Sequence, residues 1–182
     1  LAVNSVKSVR EAQKAKEESN IAQFSYIRLQ QQVKPHFMFN NLSILNSLIC
    51  EHKVDEASDF VYKLAYLYRY MIENEEENLV TIREELDFVS KYIDLMKVRF
   101  GPSFNVVVEI DKPLRDNLVV PCSIQLLIEN AIKHNGGTEQ TPLDIRIYNS
   151  ATHLIVRNNI LKKLSCEPTT HLGLKYIKRL YG

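Results

Sequence analysis

The sequence predicts an α-helical region followed by an α+β region. Only 5 of the 182 residues are glycine, well below the usual share of about 7%, which favours long helices over all-β folds and Gly-rich phosphate loops. Apolar residues recur at helical spacing up to about residue 100 and alternate at strand spacing beyond it. The net charge of +1 and the 45% of hydrophobic residues are typical of a soluble globular chain. They argue against a chain dominated by nucleic-acid or membrane-surface binding.

Cysteine usage and the length of apolar runs exclude further classes. Cys50, Cys122 and Cys166 are widely spaced and form no CxxC pair, which argues against a disulfide framework or a zinc site and indicates a reducing compartment. No 18-residue apolar run and no signal peptide is present, so we do not expect this chain itself to cross a membrane. The chain begins at Leu1 in mid-pattern, and we expect it to be an excised part of a longer protein.

Residues 1–30 predict a linker helix that could form a coiled coil. They are polar and glycine-free, with a thin apolar seam at helical spacing. The seam consists of Val3, Val6, Val9, Ile21, Phe24 and Ile27.

Two helices, over residues 29–50 and 55–74, are predicted to carry apolar side chains on two faces each. Pro35 predicts a bend near residues 31–35, and residues 51–54 predict the turn between the helices. A helix that is apolar on two faces is buried by more than one neighbour, as in a helix bundle. The stripes are Leu29, Val33, Phe37, Ile44 and Leu48 with Phe39, Leu42, Leu45 and Ile49, and then Phe60, Leu64, Leu67 and Met71 with Val61, Ala65, Tyr68 and Ile72.

A third helix is predicted to open at Thr81–Glu84, because this segment has the pattern of a capping box. Gly101 and Pro102 predict its end, and the change of pattern there predicts a domain boundary near residue 101. One amphipathic stripe runs along the helix through Ile82, Leu86, Val89, Ile93 and Met96.

The second half of the chain predicts strands around one central helix. Alternating apolar residues indicate strands at 104–110, 143–147 and 154–156. Pro121 suits the first turn of a helix that runs to about His134. A terminal helix is predicted over residues 173–181.

His36 and Asn40 form the first candidate site. They lie four residues apart beside the predicted proline bend, so they share a helix face. The ring nitrogen of a histidine is a nucleophile near neutral pH and can accept a phosphoryl group. The alternative from spacing alone is a histidine satisfied at the edge of a bundle core.

The helix that ends at His134 carries the second candidate site. Its apolar residues can face a sheet, which places Glu129, Asn130, Lys133 and His134 together on the other face. A carboxylate, a carboxamide and a cation suit a magnesium–triphosphate site. The alternative is a solvated face with a Glu129–Lys133 ion pair.

Together these segments resemble the LytS-type sensor histidine kinases. Residues 32–40 are similar to the phosphoacceptor motif Q-x-N-P-H-F-L-F-N, and residues 129–134 match the N-box E-N-A-x-K-H of the ATP-binding domain. Residues 81–100 resemble the intervening stretch L-x-x-E-L-x-x-V-x-x-Y-L-x-I-x-x-x-R-F. The resemblance covers about residues 28–182, with the motifs in the same order.

The resemblance implies an enzyme, a protein-histidine kinase of a two-component system. His36 would take the γ-phosphoryl group of ATP and pass it to an aspartate of a response regulator, commonly one with a LytTR DNA-binding domain. Asn40 would orient the acceptor histidine, or a water during dephosphorylation.

The implied cofactors are ATP and Mg²⁺, bound mainly by the N-box. Asn130 would ligate the metal, and Glu129 would assist through metal-bound water or as a base. Lys133 and His134 would contact phosphates.

Two glycine motifs of the family are altered in this chain. The D-x-G-x-G motif, whose aspartate binds the adenine amino group in the family, is expected at residues 156–160, where Asn158 could still accept one hydrogen bond but neither glycine is present. The G-x-G-L loop is expected at residues 171–174, where Gly173 remains and would contact the nucleotide. The segment 135–137 follows the N-box and indicates a helix stop rather than a nucleotide loop. These changes predict a rearranged lid.

The resemblance also implies a domain plan and a setting. A linker (1–30) would precede a dimerisation and phosphotransfer domain (31–100) and a catalytic ATP-binding domain (101–182). The fold would be an α-helical hairpin dimerisation domain followed by an α+β sandwich ATP-binding domain of the Bergerat type, incomplete at its C-terminus. The chain would form a homodimer without direct nucleic-acid contact. It would be the cytoplasmic domain of a bacterial inner-membrane sensor whose membrane anchor lies upstream.

The altered motifs leave a second function open. A degenerate kinase-like module would bind ATP weakly or not at all and act as a dimeric scaffold or phosphoacceptor. A purely structural helical dimer is a third class, but bundle packing requires neither His36 nor the N-box.

Overall fold

The computed structural model describes residues 35–74, 79–161, 163 and 181. The predicted linker helix 1–30 lies outside the described residues, as does the terminal helix 173–181 apart from Tyr181. The chain divides into two compact units, Leu1–Phe39 and Asn40–Gly182. In the first unit the described residues 35–39 are helical, and all other described elements belong to the second or continue into it. No helix in the described segments combines the length and apolarity needed to span a bilayer.

Three long helices occupy the first half of the described chain: α1 (Pro35–Cys50), α2 (Val54–Glu73) and α3 (Ile82–Phe100). The predicted turn between α1 and α2 is confirmed at residues 51–53, where His52 has a φ of 58°. A left-handed conformation at this residue ends the helix because it breaks the backbone hydrogen-bond ladder.

The predicted capping box of α3 is confirmed. Thr81 Oγ1 accepts a hydrogen bond from the backbone N–H of Glu84 at 3.2 Å, and the Glu84 carboxylate accepts one from the Thr81 N–H at 2.8 Å. At the other end, Gly101 takes a φ of 55°, a conformation that costs glycine little. Both ends of α3 are therefore set by local sequence.

Helix α2 packs along α3 through its first apolar stripe. Phe60, Leu67 and Met71 are buried there. Ion pairs and ring contacts also join the two helices, since Lys63 bonds Asp94 at 2.9 Å and the rings of Tyr70 and Phe88 stack with centroids 4.2 Å apart. The extensive helix–helix packing in the described chain is thus between α2 and α3.

The second stripes of α1 and α2 remain on the surface. Large apolar side chains that are exposed on these stripes are Phe39, Leu42, Ile49, Val61 and Ile72. The sequence predicts a second neighbour for each helix, and among the described residues the side chains of Ile49, Val61 and Ile72 remain exposed.

The second half holds a three-stranded sheet formed by β2 (Phe104–Glu109), β4 (Leu143–Asn149) and β5 (Leu154–Asn158). β4 lies in the middle, parallel to β2 and antiparallel to β5. A separate antiparallel pair joins β1 (Val80–Thr81) to β3 (Leu118–Val119). All three strands predicted from alternation are present.

Helix α4 (Ser123–His134) connects β3 to β4 and begins later than predicted. Pro121 precedes the helix rather than occupying its first turn, so that prediction was wrong. The reason lies at Cys122, which adopts a left-handed φ of 62° and turns the chain directly before the helix.

Candidate nucleotide and phosphoacceptor sites

Helix α4 presents its predicted polar face. Ile124, Ile128 and Ala131 are buried, and the helix packs against β4 and β5. Glu129, Asn130 and His134 are half-buried, while Lys133 is exposed. Helical spacing therefore places four polar side chains on the face that leaves the sheet.

The hydrogen bonds on this face do not include the Glu129–Lys133 ion pair of the alternative interpretation. Glu129 Oε1 accepts a hydrogen bond from Gln125 Nε2 at 2.7 Å, and Glu129 and Lys133 form no salt bridge. For Asn130, Lys133 and His134, no side-chain hydrogen bond or ion pair joins them to another described residue. Glu129 is thus oriented by its own helix, and the amide of Asn130 remains available as a ligand.

The oxygen donors on α4 suit magnesium that is shared with a phosphate. The described segments contain no group of three or more His, Cys, Asp and Glu side chains that could enclose a metal. Mg²⁺ is usually bound by one or two protein oxygens together with substrate phosphates and water. The Asn130 carboxamide and the Glu129 carboxylate fit that mode of binding.

Glu85 on α3 lies fully buried at the N-terminus of α4, and sequence reasoning did not select it. Its Oε2 accepts hydrogen bonds from the Cys122 N–H at 2.9 Å and the Tyr70 hydroxyl at 3.0 Å, and its Oε1 accepts one from the Ile124 N–H at 3.0 Å. Burial raises the pKa of Glu85 to about 7, against the lowering effect of these donors. A signal was present, because Glu85 lies three residues after Ile82 on the apolar face of α3.

The end of β5 differs from a glycine-rich adenine loop. Asn158 Nδ2 donates to the Asn159 carbonyl at 2.5 Å, which leaves the Asn158 carboxamide oxygen as the acceptor for a ligand. The Asn159 side chain is tied to the strand edge, since it donates to the Pro142 carbonyl and accepts from the Asp144 N–H at 3.0 Å. Asn159 therefore fixes the sheet edge directly after Asn158.

The segment after the N-box ends α4 and contacts the chain after β5. Asn135 Oδ1 accepts from the Leu161 N–H at 2.8 Å, and the Gly136 N–H donates to the Leu161 carbonyl at 2.8 Å. The helix ends at His134, so the prediction of a helix stop at residues 135–137 is confirmed. The two bonds join the end of the N-box helix to the segment that follows Asn158.

The phosphoacceptor candidates lie on α1. His36 is the second residue of this helix, and Asn40 lies four residues later in the same helix, where it is half-buried. The shared helix face that the sequence predicts for the two residues stays a prediction. The predicted roles of both residues remain predictions, and Gly173 lies outside the described residues.

A cavity of about 490 Å³ lies at the N-terminal end of α4. Its lining is mostly apolar and includes Ile82, Ile124, Leu127 and Leu154. Neither Asn158 nor any residue of the N-box lines it. The cavity is therefore separate from the predicted nucleotide site, which we assign from the chemistry of α4.

Comparisons with a family model and with curated proteins both match this chain to histidine kinases. The model of the histidine kinase family matches residues 24–104. The chain is also 34% identical over 136 residues to proteins named sensor histidine kinase/phosphatase LytS from the Mu50, N315 and MW2 strains of Staphylococcus aureus. These matches cover 72% of this chain and 23% of the relatives, so the chain spans about a quarter of their length. The chain belongs to the LytS-type sensor histidine kinases.

Proposed function

We propose that the chain is the phosphotransfer and ATP-binding part of a sensor kinase, which autophosphorylates on His36 and passes the phosphoryl group to an aspartate of a response regulator. The observation that carries this proposal is the polar face of α4. There, Glu129 is oriented by Gln125 at 2.7 Å and Asn130 lies beside it with its amide available. A packing helix requires no such arrangement.

Transfer of the phosphoryl group requires mainly that the reacting groups are positioned and that the phosphate charge is neutralised. A ring nitrogen of His36 would bond to the γ-phosphorus of ATP while the bond to the bridging oxygen breaks and ADP leaves. The proton on the other ring nitrogen would pass to a base, the role proposed for Glu129. Mg²⁺ would neutralise phosphate charge when bound, and Lys133 and His134 would meet phosphate oxygens. A regulator carboxylate would then displace His36 from phosphorus.

Autophosphorylation can be tested directly. The chain is incubated with γ-labelled ATP and magnesium beside His36→Gln, and nucleotide binding is measured by calorimetry. Label that resists alkali, is lost in acid and is absent from the variant supports the proposal. No label together with no nucleotide binding would sink it.

We propose a homodimer because apolar side chains of α1 and α2 are exposed in the described part of the chain. Ile72 and Ile49 are 70% and 56% exposed, and both lie on helices that also have a buried face. Apolar stripes that one chain leaves in solvent are buried when two helical hairpins associate as a bundle. The second copy is therefore the proposed occupant of this surface.

The setting of the protein is proposed from its family. The relatives are named as both kinase and phosphatase, and Asn40 would orient a water when the phosphoryl group is removed. The proposed regulator is of the LytTR type, and the proposed location is the cytoplasmic side of a membrane to which the longer protein is anchored.

A second candidate function rests on the end of β5. Asn159 bonds the Pro142 carbonyl and the Asp144 N–H, so the segment that should adapt to adenine is part of the sheet edge. This favours a kinase-like scaffold or phosphoacceptor with weak or absent ATP binding. Calorimetry without detectable nucleotide binding, with His36 still accepting phosphate from a partner kinase, would select this function.

A further inference from the structure

We propose that Glu85 is a positioning residue for the nucleotide site: it caps the N-box helix α4 and joins that helix to α2 through Tyr70. The proposal deepens the proposed kinase function and rests on it for its kinetic part. Its structural part stands on hydrogen bonds between α2, α3 and α4.

Glu85 supplies the N-terminal cap that α4 lacks in its own sequence. The N-cap residue is Cys122, whose side chain makes no capping hydrogen bond. The first N–H groups of a helix have no partner within it and are satisfied by an oxygen acceptor at the N-cap. Glu85 accepts from Ile124 at 3.0 Å and from Gln125 as well, the positions that an N-cap side chain normally reaches.

The same carboxylate holds the left-handed turn before the helix. Cys122 has a φ of 62°, which is strained for a residue with a side chain. Its N–H donates to Glu85 Oε2 at 2.9 Å. Every partner of the carboxylate is a donor, so the ionised form of Glu85 matches the site.

The side chain of Gln125 connects the cap at Glu85 to Glu129, the candidate catalytic residue. Gln125 gives its backbone N–H to Glu85 and its side-chain amide to Glu129 at 2.7 Å. A change in the first turn of α4 therefore moves the donor that orients Glu129.

Tyr70 extends the connection to α2. Its hydroxyl donates to Glu85 Oε2 at 3.0 Å, and its ring stacks on Phe88. One turn away, Tyr66 makes a similar bond to Asp87 at 2.5 Å, but Asp87 is exposed, and among the described residues its carboxylate bonds only Tyr66 of α2 and Lys91 of α3. Tyr66 thus provides a matched control that joins the same two helices without reaching α4.

The test compares Glu85→Gln, Tyr70→Phe and Tyr66→Phe with the wild-type chain at pH 8, where Glu85 is ionised. Autophosphorylation gives kcat and the KM for ATP. Amide exchange followed by NMR reports the N–H groups of Ile124 and Gln125, with the amides of β4 as the reference for global opening. Exchange requires no ATP, so it remains decisive for the cap even if the wild type does not autophosphorylate.

We expect Glu85→Gln to lower kcat about tenfold with the KM for ATP changed less than about twofold, because the first turn of α4 loses its cap. Exchange at Ile124 and Gln125 should accelerate relative to β4. Tyr70→Phe should lower kcat roughly fivefold and should also accelerate exchange at Ile124 and Gln125. Tyr66→Phe should leave kcat and amide exchange as in the wild type. If Glu85→Gln does not fold, the contrast between the tyrosine variants decides.

Unchanged exchange at Ile124 and Gln125 in Glu85→Gln would overturn the proposal. Equal effects of Tyr66→Phe and Tyr70→Phe would overturn it too, because they would reflect helix packing alone. A wild-type chain that never takes label counts against the proposed kinase function, while faster exchange in the variant would still support the cap.

Discussion

Asn130 and Glu129 are neighbours in sequence but differ in their surroundings. Glu129 accepts a hydrogen bond from Gln125, whereas no described residue bonds the Asn130 side chain. A neutral carboxamide can ligate Mg²⁺ without adding a second negative charge beside Glu129 and the phosphates. In the proposed reaction, Glu129 is therefore the base that Gln125 orients, and Asn130 is the metal ligand.

Replacing Asn130 with Asp should lower autophosphorylation roughly tenfold. The added charge lies next to Glu129 and opposes the approach of a triphosphate, while the helix and the dimer remain intact. Label incorporation and light scattering measure the two effects. Asn117→Asp, the same chemical change at an exposed residue outside the N-box helix, is the control. Normal labelling by Asn130→Asp would show that the metal-ligand assignment is wrong.

Glu85 should make stability depend on pH in an unusual direction. Burial raises its pKa to about 7 from the ordinary 4.5 of a glutamate. Between these values the folded chain binds a proton that the unfolded chain releases, so the contribution of Glu85 to stability falls as the pH rises. Urea unfolding of wild type and Glu85→Gln at pH 5 and pH 8 tests this. The wild type should lose stability relative to the variant at pH 8, and a gain would contradict the prediction.

At the scale of elements, local sequence fixes α3 more completely than α4. The capping box and Gly101 set the two ends of α3 from residues within a few positions of each other. The start of α4 instead depends on Glu85, which lies 37 residues before Cys122. For this reason the sequence predicts the start of α3 correctly and places the start of α4 two residues too early.

The turn after α4 should require glycine at residue 137 but not at residue 136. A Cβ on Gly137 would lie 2.2 Å from the Ser103 carbonyl oxygen and 2.6 Å from the Leu143 nitrogen, both backbone atoms. A Cβ on Gly136 would meet only the Lys163 side chain, at 3.2 Å. Gly137→Ala should therefore destabilise the fold by about 1–3 kcal/mol or more, measured by urea unfolding. Gly136→Ala is the control. Equal stability of the two variants would contradict the close approach of the Ser103 and Leu143 backbone to Gly137.

At the scale of the molecule, α2 has one buried and one exposed apolar stripe, whereas α1 buries only Leu48 among its described apolar residues. The buried stripe of α2 packs on α3, and the exposed side chains include Val61 and Ile72. Periodicity predicts both stripes but assigns neither to a partner. The tertiary structure shows which stripe of α2 is used within the chain, and the other is left for the proposed second copy.

Ile72→Glu should weaken the dimer because it places a charge on the exposed stripe of α2. Sedimentation equilibrium should show dissociation at concentrations where the wild-type chain is dimeric. Ile160→Glu is the matched control, since Ile160 is 77% exposed and lies after β5. Equal dissociation constants for wild type and Ile72→Glu would contradict the use of this stripe.

The amino-acid sequence by itself determined the elements and their polar faces. The three strands, the capping box of α3 and the clustering of Glu129, Asn130, Lys133 and His134 follow from spacing, because hydrogen-bond periodicity along one element is a local property. The tertiary structure alone decided the partners between elements: Glu85 at the start of α4 and Tyr70 on Glu85. The bond from the Ile124 N–H to Glu85, for example, joins residues 39 positions apart. The free energy of burying a carboxylate depends on the hydrogen-bond donors that folding brings to it. The donors to Glu85 come from distant parts of the chain, so no local sequence pattern reveals them.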